Sequence, residues 1–413
     1  MTFSRRQIAV LLVCVGIFAL GQFHRASGSV FTPVLMDRYA LSAATVAGLV
    51  SAMFIATLSA QIPFGAALDR FGPRYILSGC ILFVAVGTAV FALENAFETA
   101  LVARVTIGLG LASMGAASHV IIARNFAARD FGFISGLVVT LGGVGGLLGT
   151  YPLAVALGLW SWDAVFSAAA LFAVILSLTV FWVLAPQQNS AETEAIAAIE
   201  VGQGGRFLDL IRQREFLKIL ALGPVTFAPI TTVTGLWGGP FFQDVVGLSS
   251  EGAGFVMLLL FGATLSAGFV YGVLDRRMQS RRRLTLTGVV ISVLSIFALA
   301  ATSDPSVEVA LGLLLVMCFC QQFYIPLGAH MRRITPDHLL ARASTLLTFV
   351  SVLGIPVMQF GFGLVIDMAA AQGLVLADQY RLAFGTMAIV IALGGCVYAT
   401  AESVNNSNEA SVE

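Results

Sequence analysis

Apolar residues run along this chain in stretches of about 20, each ended by a short polar break. An α-helix rises 1.5 Å per residue, so about 20 residues cross a bilayer core roughly 30 Å thick. Twelve such stretches occur: residues 7–32, 44–68, 75–93, 97–123, 132–157 and 164–185, then 216–242, 250–274, 283–302, 307–330, 341–366 and 380–401. Between the sixth and seventh lies a polar segment with Gln187, Gln188, Asn189, Glu192, Glu194 and the Gly-rich Gly202–Gly205. The pattern predicts an all-α membrane protein of twelve transmembrane helices in two pseudo-symmetric six-helix bundles. The first bundle covers 1–185, a cytoplasmic linker 186–215, the second bundle 216–402 and a polar tail 403–413. Six helices, a linker and six more are the mark of a duplicated bundle.

Composition agrees with that picture. The 413 residues are 58% hydrophobic and 11% charged, against about 25% charged in soluble domains. A net charge of zero leaves none of the basic excess with which nucleic-acid binders meet phosphates. The placement of charge says more. With the N-terminus in the cytoplasm and sides alternating, all but four of the 22 Lys and Arg residues fall in cytoplasmic segments. Arg38 and Arg381 lie opposite, and Arg25 and Arg104 lie within spans. That asymmetry is the positive-inside pattern, and a miscounted span would blur it. It places both termini in the cytoplasm of a cell whose inner (plasma) membrane holds the protein. Arg5 and Arg6 ahead of an apolar run resemble a signal peptide, but no small-residue cleavage site follows, so the run reads as a retained first span. The five cysteines lie in apolar runs and read as packing residues. No carboxylate lies deep in a span, which weakens proton relay through a buried Asp or Glu.

The loop after the second span reads Gly65-Ala-Ala-Leu-Asp69-Arg70-Phe-Gly72-Pro73-Arg74. Asp69 at a helix end can accept hydrogen bonds from a neighbouring helix N-terminus, and Gly72 permits a tight turn. After span eight comes a degenerate copy, Gly272-Val-Leu-Asp275-Arg276-Arg277, with Tyr271 where Gly65 stands. Span four contains Arg104-Val-Thr-Ile-Gly108-Leu-Gly110. On these elements the chain resembles the major facilitator superfamily of secondary transporters. Its signature is Gly-x-x-x-Asp-(Arg/Lys)-x-Gly-(Arg/Lys)-(Arg/Lys), with Pro73 replacing one basic residue here. The resemblance implies that Gly65, Asp69, Arg70, Gly72 and Arg74, with Asp275 and Arg276, form a cytoplasmic gating latch. It also implies that spans one, four, seven and ten line a central cavity and that the protein works as a monomer. The bland alternative for the loops is charge that only fixes topology.

Two arginines sit inside spans, where each costs at least ~2.5 kcal/mol and needs protein or water around it. Arg25 lies roughly 26 Å along the helix from Ile8, and Arg104 about 10 Å along the descending helix from Phe97. Both therefore reach similar depths. Together they would make a positive pocket for a carboxylate or phosphate, which Arg binds bidentately. Otherwise Arg25 snorkels to the interface and Arg104 pairs with carbonyls. His24 and His119 could carry a coupling proton, or serve only in packing. Span seven is rich in Pro, Gly and Thr around Trp237, and span ten carries Gln321 and Tyr324 at i and i+3. These three join the arginines as candidate substrate-binding residues, or make only interhelical bonds. His330 reads as loop chemistry beside Arg332 and Arg333.

The leading expectation is alternating-access secondary active transport of a small organic anion, with H+ as the candidate coupling ion. A proton-coupled exporter of apolar, drug-like compounds is the alternative, though the family's antiporter signature in span five is not matched. A membrane-embedded lipid-modifying enzyme would need a nucleophile, base or metal cluster, and none is legible. No metal site and no cofactor is expected.

Overall fold

The structure is a computed structural model that describes residues 3–93, 96–185, 210–277 and 280–402. Most of the expected linker (186–209) and the tail 403–413 lie outside the described residues. Among the described residues every regular element is helical, and eleven helices are long and apolar enough to cross a membrane. One of them, Ala43–Ala92, has 50 residues. At 1.5 Å per residue it would measure about 75 Å, more than twice a bilayer core. Gly72 divides it with φ +77° and ψ 166°. Only glycine takes that backbone without strain, and Pro73 then opens the next helix, whose first turn needs no proline N–H. Spans two and three are thus both present, and the described residues form twelve spans. Leu12, Ile62, Trp182 and Phe269 are more than 60% exposed, as suits a surface that faces lipid rather than water.

Five spans are broken. Span one is Arg5–Ala26 followed by Gly28–Tyr39. The hydroxyls of Ser27 and Ser29 donate back to the carbonyls of His24 and Ala26, a contact that bends helices. Span four is Phe97–Leu111 and Met114–Asn125. Span five is divided into Phe131–Gly142, Val144–Leu148 and Tyr151–Leu159. Span seven begins at Arg214 and passes through two π-helical turns, Val233–Trp237 and Phe241–Val245. Pro224, Pro229 and Pro240 each remove a backbone donor there. Span ten breaks at the 3₁₀ turn Gln321–Phe323. The remaining spans run as Trp162–Val183, Ser250–Arg277, Arg281–Ala301, Asp337–Ala371 and Leu376–Ala399. Broken backbone at membrane depth is tolerated only inside protein or beside a cavity.

The chain divides into two compact units. Among the described residues, the first holds 3–41, 48–93, 96–185 and 250–255, and the second holds 42–47, 210–249, 256–277 and 280–402. The glycines of span five set the packing of the first unit. A Cβ built on Gly145 would stand 1.9 Å from the Ala19 carbonyl oxygen, so span five lies backbone to backbone on span one. In the same unit Phe31, Phe91, Trp162 and Phe166 form an aromatic cluster with ring centroids 4.5–6.3 Å apart. In the second unit Trp237, Phe241, Phe362, Tyr380 and Phe384 make the corresponding one. Two expectations need correction. His330 is not in a loop: it is 3% exposed within Tyr324–Ile334, and its Nδ1 lies 2.8 Å from the Tyr398 hydroxyl. Cys14, Cys80 and Cys318 are buried, but Cys396 is exposed, on a face open to lipid.

Candidate functional site

In the first unit Arg104 is buried to 1% exposure. Its guanidinium lies over the Phe31 ring at 5.3 Å from the centroid, a cation–π contact. Nε and Nη2 have no hydrogen-bond partner among the described residues. Two of the three guanidinium nitrogens, which carry three of its five N–H donors, are therefore buried and unanswered among the described residues, which is rare for any polar group and rarer for a charged one. His24 is 2% exposed and close enough for the Arg104 charge to act on its ring. Its Nε2 lies 3.3 Å from the Thr88 hydroxyl. His24 and Phe31 are seven residues apart, two helical turns, and so share one face of span one. Arg25 is turned by one residue from that face. It is half-buried and donates to the Gln22 carboxamide oxygen at 3.1 Å. The structure thus brings His24 and Phe31 to Arg104, while Arg25 is held by its own helix. The break at Ser27 falls between His24 and Phe31.

The glycines after Arg104 fix its helix. A Cβ on Gly108 would stand 2.2 Å from the Met53 carbonyl oxygen, and one on Gly110 would stand 2.4 Å from that of Cys80. Span four is thereby pressed against spans two and three. His119, further along, is exposed and its Nδ1 lies 2.8 Å from the Gly115 carbonyl.

The second unit gathers its polar groups around the broken span seven. Gln321 is fully buried, and its Nε2 donates to the Val225 carbonyl while Oε1 has no partner among the described residues. Tyr324 lies against Phe227 with ring centroids 4.5 Å apart, and its hydroxyl is 3.0 Å from that of Thr348. Gln321 and Tyr324 therefore both reach span seven, two residues apart on it. Trp237 is fully buried, stacks on Phe362 at 5.6 Å and donates its indole N–H to the Gln359 carbonyl at 3.1 Å. Its polar capacity is spent within the unit.

The loop residues differ between the halves. Asp69 and Arg70 are exposed, and Asp69 makes no hydrogen bond or ion pair among the described residues. Arg70 lies over the Phe71 ring. Arg74 is anchored: its Nε donates to the Phe181 carbonyl at 2.9 Å, and the guanidinium lies 4.0 Å from the Phe181 ring centroid. A Cβ on Gly65 would meet nothing within 4 Å. In the second half Asp275 pairs with Arg281 at 3.1 Å, and the Tyr271 hydroxyl donates to the Cys320 carbonyl at 2.8 Å. The side chain of Arg276 lies outside the described set.

The family model described as "Major Facilitator Superfamily" matches residues 11–359. The chain belongs to the Major Facilitator Superfamily. It is an integral membrane transporter, not an enzyme, and the fold agrees at full length. A bacterial homologue of the human lysosomal transporter Spinster superposes with a TM-score of 0.78 at 18% identity, covering 97% of both chains. The nucleoside transporter NupG gives 0.77 at 14% identity, covering 97% of this chain and all of that one. A D-xylose–proton symporter gives 0.76 at 16%, covering 96% and 99%. At such identities these likenesses show the fold alone. Among curated proteins, a probable L-galactonate transporter of Escherichia coli (strain K12) is 24% identical over 42% of this chain and 39% of its own length. An uncharacterized transporter of Buchnera aphidicola subsp. Schizaphis graminum is 26% identical over 36% and 34%. The matches thus span well under half the length of those relatives. Within this superfamily fold, sequence reasoning had missed Phe31, the residue that covers Arg104. Its signal was there in the seven-residue spacing from His24, but only a known partner for Arg104 gives that spacing meaning.

Proposed function

We propose that this transporter carries a small organic anion by alternating access, and that Arg104 is the group that recognises the anionic end. One observation carries the reading: a buried guanidinium with two nitrogens that no acceptor among the described residues answers. Such a group is costly to fold around, and a bidentate carboxylate is its natural complement. The printed name of the galactonate relative adds support, because galactonate is a carboxylate. The ligand reaches Arg104 when the half-helix Gly28–Tyr39 pivots at Ser27 and lifts Phe31 away. Arg25 adds positive potential from outside the pocket. H+ is the coupling ion and His24, beside Arg104, its carrier. The two bundles divide at the linker 186–215, both termini are cytoplasmic in the inner membrane, and the unit of function is the monomer.

Uptake into proteoliposomes tests this. Arg104→Ala should lower carboxylate uptake at least about 30-fold, the penalty for removing one partner of a buried charged pair. Arg104→Lys should recover little, because a point charge cannot reproduce the fork. Normal uptake of the same carboxylate by Arg104→Ala would refute the assignment.

A further inference from the structure

Thr88 is fully buried in span three, and a buried hydroxyl has one hydrogen and two lone pairs to place. Its Oγ1 stands 2.7 Å from the Val84 carbonyl oxygen, one turn back, and 3.3 Å from Nε2 of His24. One hydrogen cannot serve both. Two oxygens at 2.7 Å, the usual O–H···O distance, repel each other unless a hydrogen lies between them. The hydrogen therefore points to Val84, in the back-bond that threonine readily makes within a helix. Toward His24 the hydroxyl has only a lone pair to offer, so Nε2 carries a hydrogen and donates it. A neutral imidazole has a single N–H, and the bond made by one nitrogen decides the state of the other. Neutral His24 is thus the Nε2–H tautomer, with Nδ1 bare.

Packing holds Thr88 at this height. A Cβ on its neighbour Gly87 would stand 2.8 Å from the Ile107 nitrogen and 2.9 Å from the Ala103 carbonyl oxygen. Span three is therefore pressed on span four at the turn that carries Arg104. Phe91, three residues after Thr88 and on nearly the same helix face, meets Phe31 with ring centroids 5.2 Å apart. Span three thus touches both residues that face Arg104, His24 through a hydroxyl and Phe31 through a ring. All of these residues lie in the first unit. We propose that Thr88 is the positioning residue of the proton site: it holds His24 as the Nε2–H tautomer, so that the proton is taken up and released at Nδ1. The proposal rests on the reading of His24 as proton carrier. Uptake forms one N–H bond at the Nδ1 lone pair, release breaks it, and Nε2 keeps its hydrogen throughout. The bond to Thr88 serves imidazole and imidazolium alike, so the ring need not turn between the two.

The test uses the full-length protein in bilayers, with isotope-labelled histidine. Solid-state nitrogen NMR separates a bare ring nitrogen from an N–H, and His24→Gln identifies the His24 signals by their loss. His119 is the internal reference for the opposite tautomer, because its Nδ1 lies 2.8 Å from the Gly115 carbonyl, which can only accept. At about pH 8.5, well above the ordinary imidazole value of about 6.5, wild-type His24 should carry its hydrogen on Nε2. Thr88→Val keeps the side-chain outline and removes the acceptor. The share of His24 with its hydrogen on Nδ1 should then rise about tenfold, the factor for loss of a hydrogen bond, while His119 stays unchanged. Thr88→Ser restores the hydroxyl and should restore the wild-type signals, which a purely structural role would not require. Wild-type His24 found with its hydrogen on Nδ1 overturns the proposal by itself, whether or not a variant folds. An unchanged tautomer share in Thr88→Val overturns it too, as does a Thr88→Ser variant that behaves like Thr88→Val. None of these readouts uses a cargo. Normal proton-driven carboxylate uptake by His24→Gln would instead overturn the carrier reading and leave the tautomer assignment standing.

Discussion

In the first unit a guanidinium, Arg104, lies over the Phe31 ring with Nε and Nη2 unanswered among the described residues, while around span seven of the second unit two carboxamides and an indole find backbone carbonyls. Gln321 donates to the Val225 carbonyl, Gln359 to that of Thr231, and Trp237 to that of Gln359. The difference follows from the local backbone. Span seven, broken by three prolines and two π-helical turns, releases carbonyls that should bond within the helix, and amides and the indole collect them. Span one breaks at serines that donate to carbonyls of their own span, and Ser113 at the break of span four donates to the Cys80 sulfur. The buried amides and indole around span seven therefore hold a bent helix together, whereas buried Arg104 leaves capacity for a partner that the described residues do not supply.

The largest effect expected of this contrast is on stability. Trp237→Ala should destabilise the protein by about 3–5 kcal/mol, the range for emptying a large aromatic site in a core. Arg104→Ala removes a side chain of similar bulk yet should lower the melting temperature far less, because the lost packing is offset by relief of an unpaired buried charge. Thermal unfolding of both variants in one detergent reads the comparison. Equal losses would mean that Arg104 is structural after all, and the two units would not differ in kind.

The loops give the smallest effect. Asp275 is paired with Arg281, and Asp69 has no partner among the described residues. Asp275→Asn should cost at most about 1 kcal/mol of stability, as partly exposed ion pairs do. Asp69→Asn should cost none, yet should change the transport rate if the exposed loop engages in another state. Denaturation curves with matched uptake rates separate the two. An Asp69→Asn variant that loses more stability than Asp275→Asn would reverse the reading.

The spans were legible because they depend on the length of apolar runs, which needs no partner. Even the break at Gly72 could be read, since Gly-Pro between two apolar runs leaves few backbones. The site was legible only as far as energy alone reaches. An arginine inside a span must be answered by something, but the sequence does not say by what. Helical rise predicts comparable depths for Arg25 and Arg104, yet one residue of helical rotation directs Arg25 to Gln22 and leaves His24 and Phe31 to Arg104. Trp237 stood out among hydroxyls and glycines as a binding surface, and its indole ends on Gln359 instead. What the sequence hid in each case was direction around a helix axis, which tertiary packing alone decides.

The claim that a buried, unanswered Arg104 awaits an anion is tested most directly by ligand-induced thermal stabilisation in detergent. A panel of carboxylates, phosphates and uncharged analogues of the same carbon skeletons should be applied to the wild-type chain and to Arg104→Ala. Binding at 100 times Kd stabilises a folded protein by about 2.7 kcal/mol, a shift easily read. The account predicts that at least one carboxylate raises the melting temperature of the wild type, that its uncharged amide or alcohol does not, and that Arg104→Ala shows no response. Equal stabilisation of both proteins by the same carboxylate, or stabilisation of the wild type by the uncharged analogue alone, would contradict it.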